Sequence, residues 1–286
     1  MAASEPAKSD EYILNRDWRA MARLNQRHHL FKMVQGFLLH PSVSLKAGAK
    51  VAEIGGGTCI WAVDLLNELP FSIDIDAIDI SLAQCPPKAW LPNNIQLITH
   101  DVYQPFPDHM IGIYDLVHVQ NWLCVWRNQT SERLIRNLTA LLKPSGYLQW
   151  SEQDPTINTI VHAPGSPLST EATEELLRFL KKPQESISFE WVSQLGPILA
   201  QNLSLVAFDR QEIRKELQAF WNITVLQGFE ELASNLQRRD KTDENASKAA
   251  KLREVAERGS AELLNGNGIY TELVVAVVQK SPNSMI

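Results

Sequence analysis

Residues 49–58, AKVAEIGGGT, and residues 74–81, DIDAIDIS, contain the pattern that decides the fold. The first stretch is an apolar run of strand length that enters three consecutive glycines, and a segment with helical spacing follows it. The second stretch is another apolar strand, which closes on an acidic residue. A strand, a glycine turn, a helix and a second strand in this order predict the first unit of a parallel α/β sheet.

The same alternation of strands and helices continues along the chain. Further strands are predicted in NIQLITHD (94–101), YDLVHVQ (114–120), GYLQWSEQD (146–154), LSLVAFDRQ (203–211) and GIYTELVVAVVQK (268–280). An apolar stripe before the first strand predicts a helical arm within residues 1–47 that ends near His40-Pro41. Residues 48–286 are predicted as the main domain, with a core at 48–155 and a charged helical insertion at about 215–265. We expect the arm and the insertion to form a lid over the carboxyl edge of the sheet, where ligands bind in such folds.

Composition and charge exclude several classes of protein. The 286 residues include 27 Lys and Arg against 33 Asp and Glu, a net charge of -6, which argues against nucleic acid as the partner. No apolar run approaches the roughly 20 residues of a membrane-spanning helix, so no membrane contact is predicted. The three cysteines are far apart in the sequence and do not have the spacing of zinc ligands, so no metal site is predicted. With no apolar signal core at the N-terminus, these features predict a cytoplasmic protein.

The glycine turn is the motif that carries chemistry. A dinucleotide fingerprint that starts at Gly55 would need glycine where Ile60 stands, and a phosphate-binding P-loop would need a Gly-Lys-Ser/Thr that is absent. What remains is Glu53-x-Gly-x-Gly at a strand end. Asp79 closes the second strand, where a carboxylate binds both hydroxyls of a ribose, and Asp101 closes the third, where it could accept from an exocyclic amine.

These residues make the chain resemble the class I S-adenosylmethionine-dependent methyltransferases. The resemblance covers about residues 48–155 and rests on VAEIGGGT, AIDIS, HDVYQPFP, YDLVHVQNW and LLKPSGYLQWSE. A closer resemblance is to the small-molecule methyltransferases of fungal secondary metabolism, the group of the gliotoxin-type N-methyltransferases. It rests on YILNRDWRAMARLNQRHH and GFLLHPS in the arm and on QCPPKAWLP. The resemblance implies an α/β, Rossmann-like, seven-stranded and mostly parallel sheet, with S-adenosylmethionine as the cofactor.

The resemblance implies that a set of residues binds the cofactor: Glu53, Gly55, Gly57, Asp79, Ile80, Asp101, Val102 and His118. Arg23, on the arm, is a further candidate, since it could hold the cofactor carboxylate or close the lid. One residue departs from the family's ExGxGxG pattern, since Cys59 stands where the third glycine is usual. Its side chain points either into the packing of the helix on the sheet, the favoured alternative, or toward the cofactor.

Transfer of a methyl group from a sulfonium requires the protein mainly to position and desolvate the acceptor. The candidate catalytic residues are His28, His118 and Glu152. The candidate substrate-binding residues are Tyr12, Gln26, His29, Gln120, Trp122 and Trp126. Each has a structural alternative: a packed or solvated histidine, a buried carboxylate that needs some partner, a residue in a surface ion pair, or a tryptophan of the core.

The sequence therefore predicts a methyltransferase that acts on N or O, with S open, of a small aromatic or heterocyclic secondary metabolite. One alternative is an enzyme on the same scaffold that uses the bound sulfonium only as a charge, for cyclisation or pericyclic chemistry. Another is a non-catalytic regulator, which Cys59 suggests and which the retained Asp79 and Asp101 oppose. The partner is a small molecule, and whether the protein is a monomer or a homodimer stays open.

Overall fold

The structure is a computed structural model that describes residues 14–127, 130–166, 169–181, 188–239 and 242–283. Within these residues, seven strands form one sheet in the order β3-β2-β1-β4-β5-β7-β6, and β7 runs in the direction opposite to the other six. The strands are β1 (Lys50–Ile54), β2 (Asp74–Asp79), β3 (Ile95–Thr99), β4 (Tyr114–Gln120), β5 (Leu142–His162), β6 (Ser204–Glu212) and β7 (Asn267–Gln279). The Rossmann-like, seven-stranded and mostly parallel α/β fold is confirmed.

Helices lie on both faces of this sheet and at its carboxyl edge. They are α1 (Trp18–Gln35), α2 (Ile60–Glu68), α3 (Ser131–Leu141), α4 (Glu171–Lys181), α5 (Glu190–Ser193), α6 (Leu195–Leu199), α7 (Gln218–Arg239) and α8 (Asp243–Leu264). Among the described residues, no helix combines the length and the apolar character that a membrane crossing needs.

The arm forms a shorter helix than its apolar stripe predicts. Helix α1 begins after Asp17, whose carboxylate accepts hydrogen bonds from the backbone N–H of Arg19 and Ala20 at 3.0 and 3.1 Å. It ends at Gly36, which adopts a left-handed φ of 80° and donates to the carbonyl of Lys32. The predicted end at His40-Pro41 is therefore wrong, because the glycine stops the helix first.

Two other segments differ from the prediction. The Pro, Gly and Ser residues after Asp154 predict a loop, but β5 continues there because β7 is long enough to pair with it again at residues 159–162. The sequence pattern also predicts one helix from Phe189 to Asn202, whereas the structure divides this segment into α5 and α6 at Gln194. Neither change moves the carboxyl edge of the central strands.

Three apolar clusters of the described residues hold the helices against the sheet and against one another. One packs α2 on the sheet through Trp61 and Leu65. A second fills the opposite face and includes the tryptophan group Trp122, Trp126, Trp150 and Trp191. The third joins α1, α4, α7 and α8 through Phe31, Trp221 and Leu252. The arm and the insertion thus pack on each other.

Candidate active site

The glycine turn between β1 and α2 is tied to the end of β2 by Asp79. Gly55 and Gly57 have φ values of 71° and 50°, which glycine adopts at little cost. One Asp79 oxygen accepts from the N–H of Gly57 and the other from the N–H of Ser81, both at 3.0 Å. Burial raises the pKa of Asp79, against these hydrogen bonds. The carboxylate predicted to bind a ribose therefore also holds the turn in place.

Glu53 lies directly beneath this turn. The residue is 5% exposed, and its Oε2 accepts no hydrogen bond from any residue that the structure describes. Burial, with repulsion from Cys85 and Asp79, raises its pKa well above the usual range. A Cβ built on Gly56 would lie 3.4 Å from this oxygen. A buried acceptor without a hydrogen-bond partner is costly, so the site favours a ligand that donates a hydrogen bond or carries a positive charge.

Trp122 covers the first glycine. A Cβ built on Gly55 would lie 2.4 Å from the indole Nε1, so only glycine fits there. The backbone N–H of Trp122 donates to Glu152 Oε2, and Glu152 Oε1 accepts from the N–H of Gln153 at 3.1 Å. Glu152 is fully buried on β5, one residue beyond Ser151, which pairs with the last residue of β4. Its visible contacts position the loop that carries Trp122.

Burial raises the pKa of Glu152 from 4.5 to about 8. Because the folded protein then holds a proton that the unfolded chain loses above pH 4.5, the free energy of unfolding falls as pH rises from about 4.5 to 8. We expect Glu152→Gln to flatten this part of the profile, measured by urea denaturation at several pH values. A wild-type profile that rises with pH over this window, or a variant that keeps the slope, would contradict the assignment.

Helix α1 lies over the glycine turn. A Cβ on Gly57 would be 3.6 Å from Leu24 Cδ1, and the hydroxyl of Thr58 donates to Asn25 Oδ1 at 2.6 Å. One helical turn further, His28 Nε2 lies 2.9 Å from Asp64 on α2. These contacts run along one face of α1 and fasten it across the edge where the cofactor residues converge.

A buried polar cluster lies between α1, α7 and the middle of β5; we define it as Arg23, Arg27, Glu152, Gln153 and Glu231. Arg23 makes a two-pronged ion pair with Glu231, at 2.6 and 3.0 Å. The Arg27 guanidinium donates to Gln153 Oε1 and stacks on Trp221, 4.4 Å from the ring centre. Its Nε has no hydrogen-bond partner in the part of the chain that the structure describes.

Arg27, Gln153 and Glu231 were not among the predicted site residues. Arg27 could have been noticed, because it stands one helical turn from Arg23 on the same apolar side of the arm. Glu231 lies 208 positions from Arg23 in a charged insertion, and no local pattern distinguishes it from the acidic residues around it.

The three predicted histidines differ in their surroundings. His118 stacks on Trp61 with ring centres 3.7 Å apart, and neither ring nitrogen has a partner within the described ranges. Burial, with repulsion from His28, lowers the pKa of His118 well below the usual value, so the ring is neutral. His28 is held by Asp64, and burial lowers its pKa also. His29 is exposed. His118 thus packs on Trp61 and His28 is fastened to Asp64, and the catalytic roles of both stay predictions.

His28, His29 and Asp64 bring three potential metal-ligating atoms within 4.8 Å of one another. Lys32 Nζ, however, lies 3.0 and 2.9 Å from the two Asp64 oxygens and neutralises this carboxylate. The arrangement is explained as an ion pair between α1 and α2, and the absence of a metal site stays a prediction.

The remaining predicted residues lie near the carboxyl edge or in the core behind it. Ile80 is 51% exposed beside Asp79, while Val102 is buried and its carbonyl accepts from Asn137. Asp101 accepts from the N–H of Tyr103. Gln26 donates to the carbonyl of Phe220, and Gln120 is the half-buried last residue of β4. Trp126 stacks on Trp191 with ring centres 4.2 Å apart. Tyr12 lies outside the described residues.

Cys59 points into the packing of α2 on the sheet, the favoured one of its two predicted positions. Its side chain is fully buried among the residues that pack α2 on the sheet. Its φ of 59° is the left-handed conformation that a glycine would adopt with less strain. The backbone of the turn thus keeps the shape of the glycine pattern although the third glycine is replaced.

A model of the family described as methyltransferase domain matches residues 22–220. The chain is 33% identical over 162 residues to the methyltransferase grgD of Penicillium sp, which covers 54% of this chain and 56% of that protein. It is 28% identical over 133 residues to the N-methyltransferase tcpN of Claviceps purpurea, with coverage of 46% and 47%. The matches thus span about half the length of these relatives.

Among solved structures, coclaurine N-methyltransferase bound to N-methylheliamine and S-adenosylhomocysteine superimposes with a TM-score of 0.51. The superposition covers 89% of this chain and 70% of that one at 12% sequence identity. At this identity the likeness is one of fold.

Proposed function

Because the chain belongs to the methyltransferase-domain family, whose model matches residues 22–220, we propose that it is an S-adenosylmethionine-dependent methyltransferase of fungal secondary metabolism. The acceptor is nitrogen or oxygen, with sulfur open, on a small aromatic or heterocyclic metabolite. The observation that carries the proposal is the unpartnered Glu53 oxygen beside a glycine turn that Asp79 holds. The names of the fungal relatives, which include N-methyltransferases, support the class of reaction.

The residues present fit this cofactor. Glu53 offers a buried acceptor to the ammonium group of the methionine part, and the turn at Gly55 and Gly57 lets the backbone approach it. Asp79 uses one lone pair of each oxygen on backbone N–H groups and keeps the others for ribose hydroxyls. Ile80 and Asp101 stand beside it for the adenine. The cofactor itself supplies an activated methyl group on a positively charged sulfur.

The acceptor binds, in this proposal, between Trp122 and the buried polar cluster. Trp122 offers an aromatic surface, and Glu152 fixes its backbone. Arg27 is paired with a neutral amide and lies beside a carboxyl group whose pKa is raised, so its positive charge lacks a full counterpart. A buried charge of this kind favours an acceptor that presents a carbonyl or anionic oxygen. Helix α1 and α7 exclude water from this space.

The test combines cofactor binding with product formation. Isothermal titration should give a dissociation constant below the millimolar range for S-adenosylmethionine and for S-adenosylhomocysteine. Incubation with methyl-labelled cofactor and a panel of aromatic and heterocyclic metabolites should then transfer the label to at least one of them. Absence of binding at millimolar cofactor would overturn the proposal, and a product formed without loss of the methyl group would assign the cyclase chemistry instead.

A further inference from the structure

Two cysteines meet under the glycine turn. Cys59 stands at the start of α2, and Cys85 follows the short helical turn Leu82–Gln84 after β2. The Cys59 thiol donates to Cys85 Sγ at 3.7 Å, and the Cys85 thiol donates to the carbonyl of Gly57 at 3.2 Å. A disulfide needs about 2.0 Å between the sulfurs, so the pair must approach by roughly 1.7 Å. Both cysteines are free in the structure.

The two thiols are not equivalent. Cys59 is fully buried, whereas Cys85 is partly exposed. The hydrogen bond from Cys59 lowers the pKa of Cys85, and the same bond, with burial, raises the pKa of Cys59. Since the thiolate is the reactive form, Cys85 is the sulfur that meets an oxidant and Cys59 is the sulfur that resolves it.

We propose that Cys59 and Cys85 form a reversible disulfide under peroxide, and that this disulfide weakens binding of the cofactor at the glycine turn. The second half rests on the proposed function. In the first step the Cys85 sulfur takes one oxygen from hydrogen peroxide, giving a sulfenic acid and water. In the second, the Cys59 sulfur attacks it, forming the sulfur–sulfur bond and releasing a second water. A dithiol reductant returns both protons and electrons and restores the pair.

The coupling to the cofactor runs through Gly57. Its carbonyl accepts from the Cys85 thiol, and its N–H donates to Asp79. The disulfide has no S–H, so this carbonyl loses its donor, and the approach of the two sulfurs pulls the ends of the turn together. Both changes act on the backbone that the cofactor residues share. We expect the dissociation constant for S-adenosylhomocysteine to rise about tenfold, within the usual range of coupling between two sites.

The first measurement maps the bond. The native protein is treated with hydrogen peroxide, and its peptides are analysed by mass spectrometry without reduction. The expected product is a cross-link of the peptides that contain residues 59 and 85, with a loss of two hydrogens. Cys85→Ser and Cys59→Ser should abolish it, whereas Cys124→Ser keeps both thiols and should retain it. Conversion of Cys85 to higher oxides without the cross-link would overturn the proposal.

The second measurement uses linkage. If the disulfide weakens binding about tenfold, saturating S-adenosylhomocysteine must disfavour the disulfide by the same factor in equilibrium with a dithiol buffer. The oxidised wild-type protein should regain its affinity on reduction, and Cys85→Ser should be unaffected by peroxide. Equal affinities of the oxidised and reduced forms would overturn the coupling while leaving the cross-link in place. Absence of binding in both forms would instead count against the proposed function.

Discussion

Replacing Asp79 by asparagine is expected to weaken binding of S-adenosylmethionine by about 100-fold. In the structure each carboxylate oxygen accepts one backbone hydrogen bond, from Gly57 and from Ser81. An amide keeps one acceptor and places a donor against the other N–H, so the turn loses a charged hydrogen bond and the cofactor loses its carboxylate. Hydrogen bonds to charged groups contribute about 1.5–3 kcal/mol each, and 1.4 kcal/mol is a factor of ten in affinity.

Titration calorimetry with wild type and variant gives the comparison. Asp74→Asn is the matched control, because Asp74 begins the same strand at the opposite end and is exposed. It should leave the dissociation constant unchanged. If Asp79→Asn binds as tightly as wild type while its melting temperature falls, Asp79 serves only the turn. A role in cofactor binding would then be wrong.

The arrangement proposed to bind the cofactor could be predicted because its residues are local. Glu53, the glycines and Asp79 each stand at a strand end, and parallel strands bring their carboxyl ends to one edge without any knowledge of long-range packing. The seven strands that the structure describes could be predicted as well, because each is an apolar run of strand length. The strand-end pattern also named Asp101, which the structure leaves at the end of β3 with one oxygen accepting from Tyr103.

The other half depends on contacts that no local pattern contains. His118 was placed on the correct strand, but its partner, the Trp61 ring, comes from a helix on the sheet face. The acidic partner of Arg23 lies on α7, far along the chain. The extent of α1 could have been predicted, since Gly36 is a helix stop that the apolar stripe alone conceals.

The ion pair between α1 and α7 should be among the most sensitive points of the fold. Arg23 and Glu231 are each about 5% exposed, and two hydrogen bonds join them. Glu231→Gln removes the charge that balances the buried guanidinium, and we expect the free energy of unfolding to fall by about 3–5 kcal/mol. The double change Arg23→Met with Glu231→Leu should recover most of this loss, because it leaves no buried charge at the pair.

Urea denaturation of wild type, Arg23→Met, Glu231→Leu and the double variant completes a thermodynamic cycle and gives the coupling energy of the pair. Glu244→Gln is the matched control, since Glu244 pairs with Lys248 at 2.6 Å on the exposed face of α8 and should change stability far less. Arg23 was predicted to contact the cofactor, and the cycle separates the two roles. A structural pair gives a large coupling energy and an unchanged affinity for S-adenosylhomocysteine in the double variant. A small coupling energy together with a loss of affinity would mean that Arg23 binds the cofactor. Helix α1 would then be a lid held by its ligand rather than by α7.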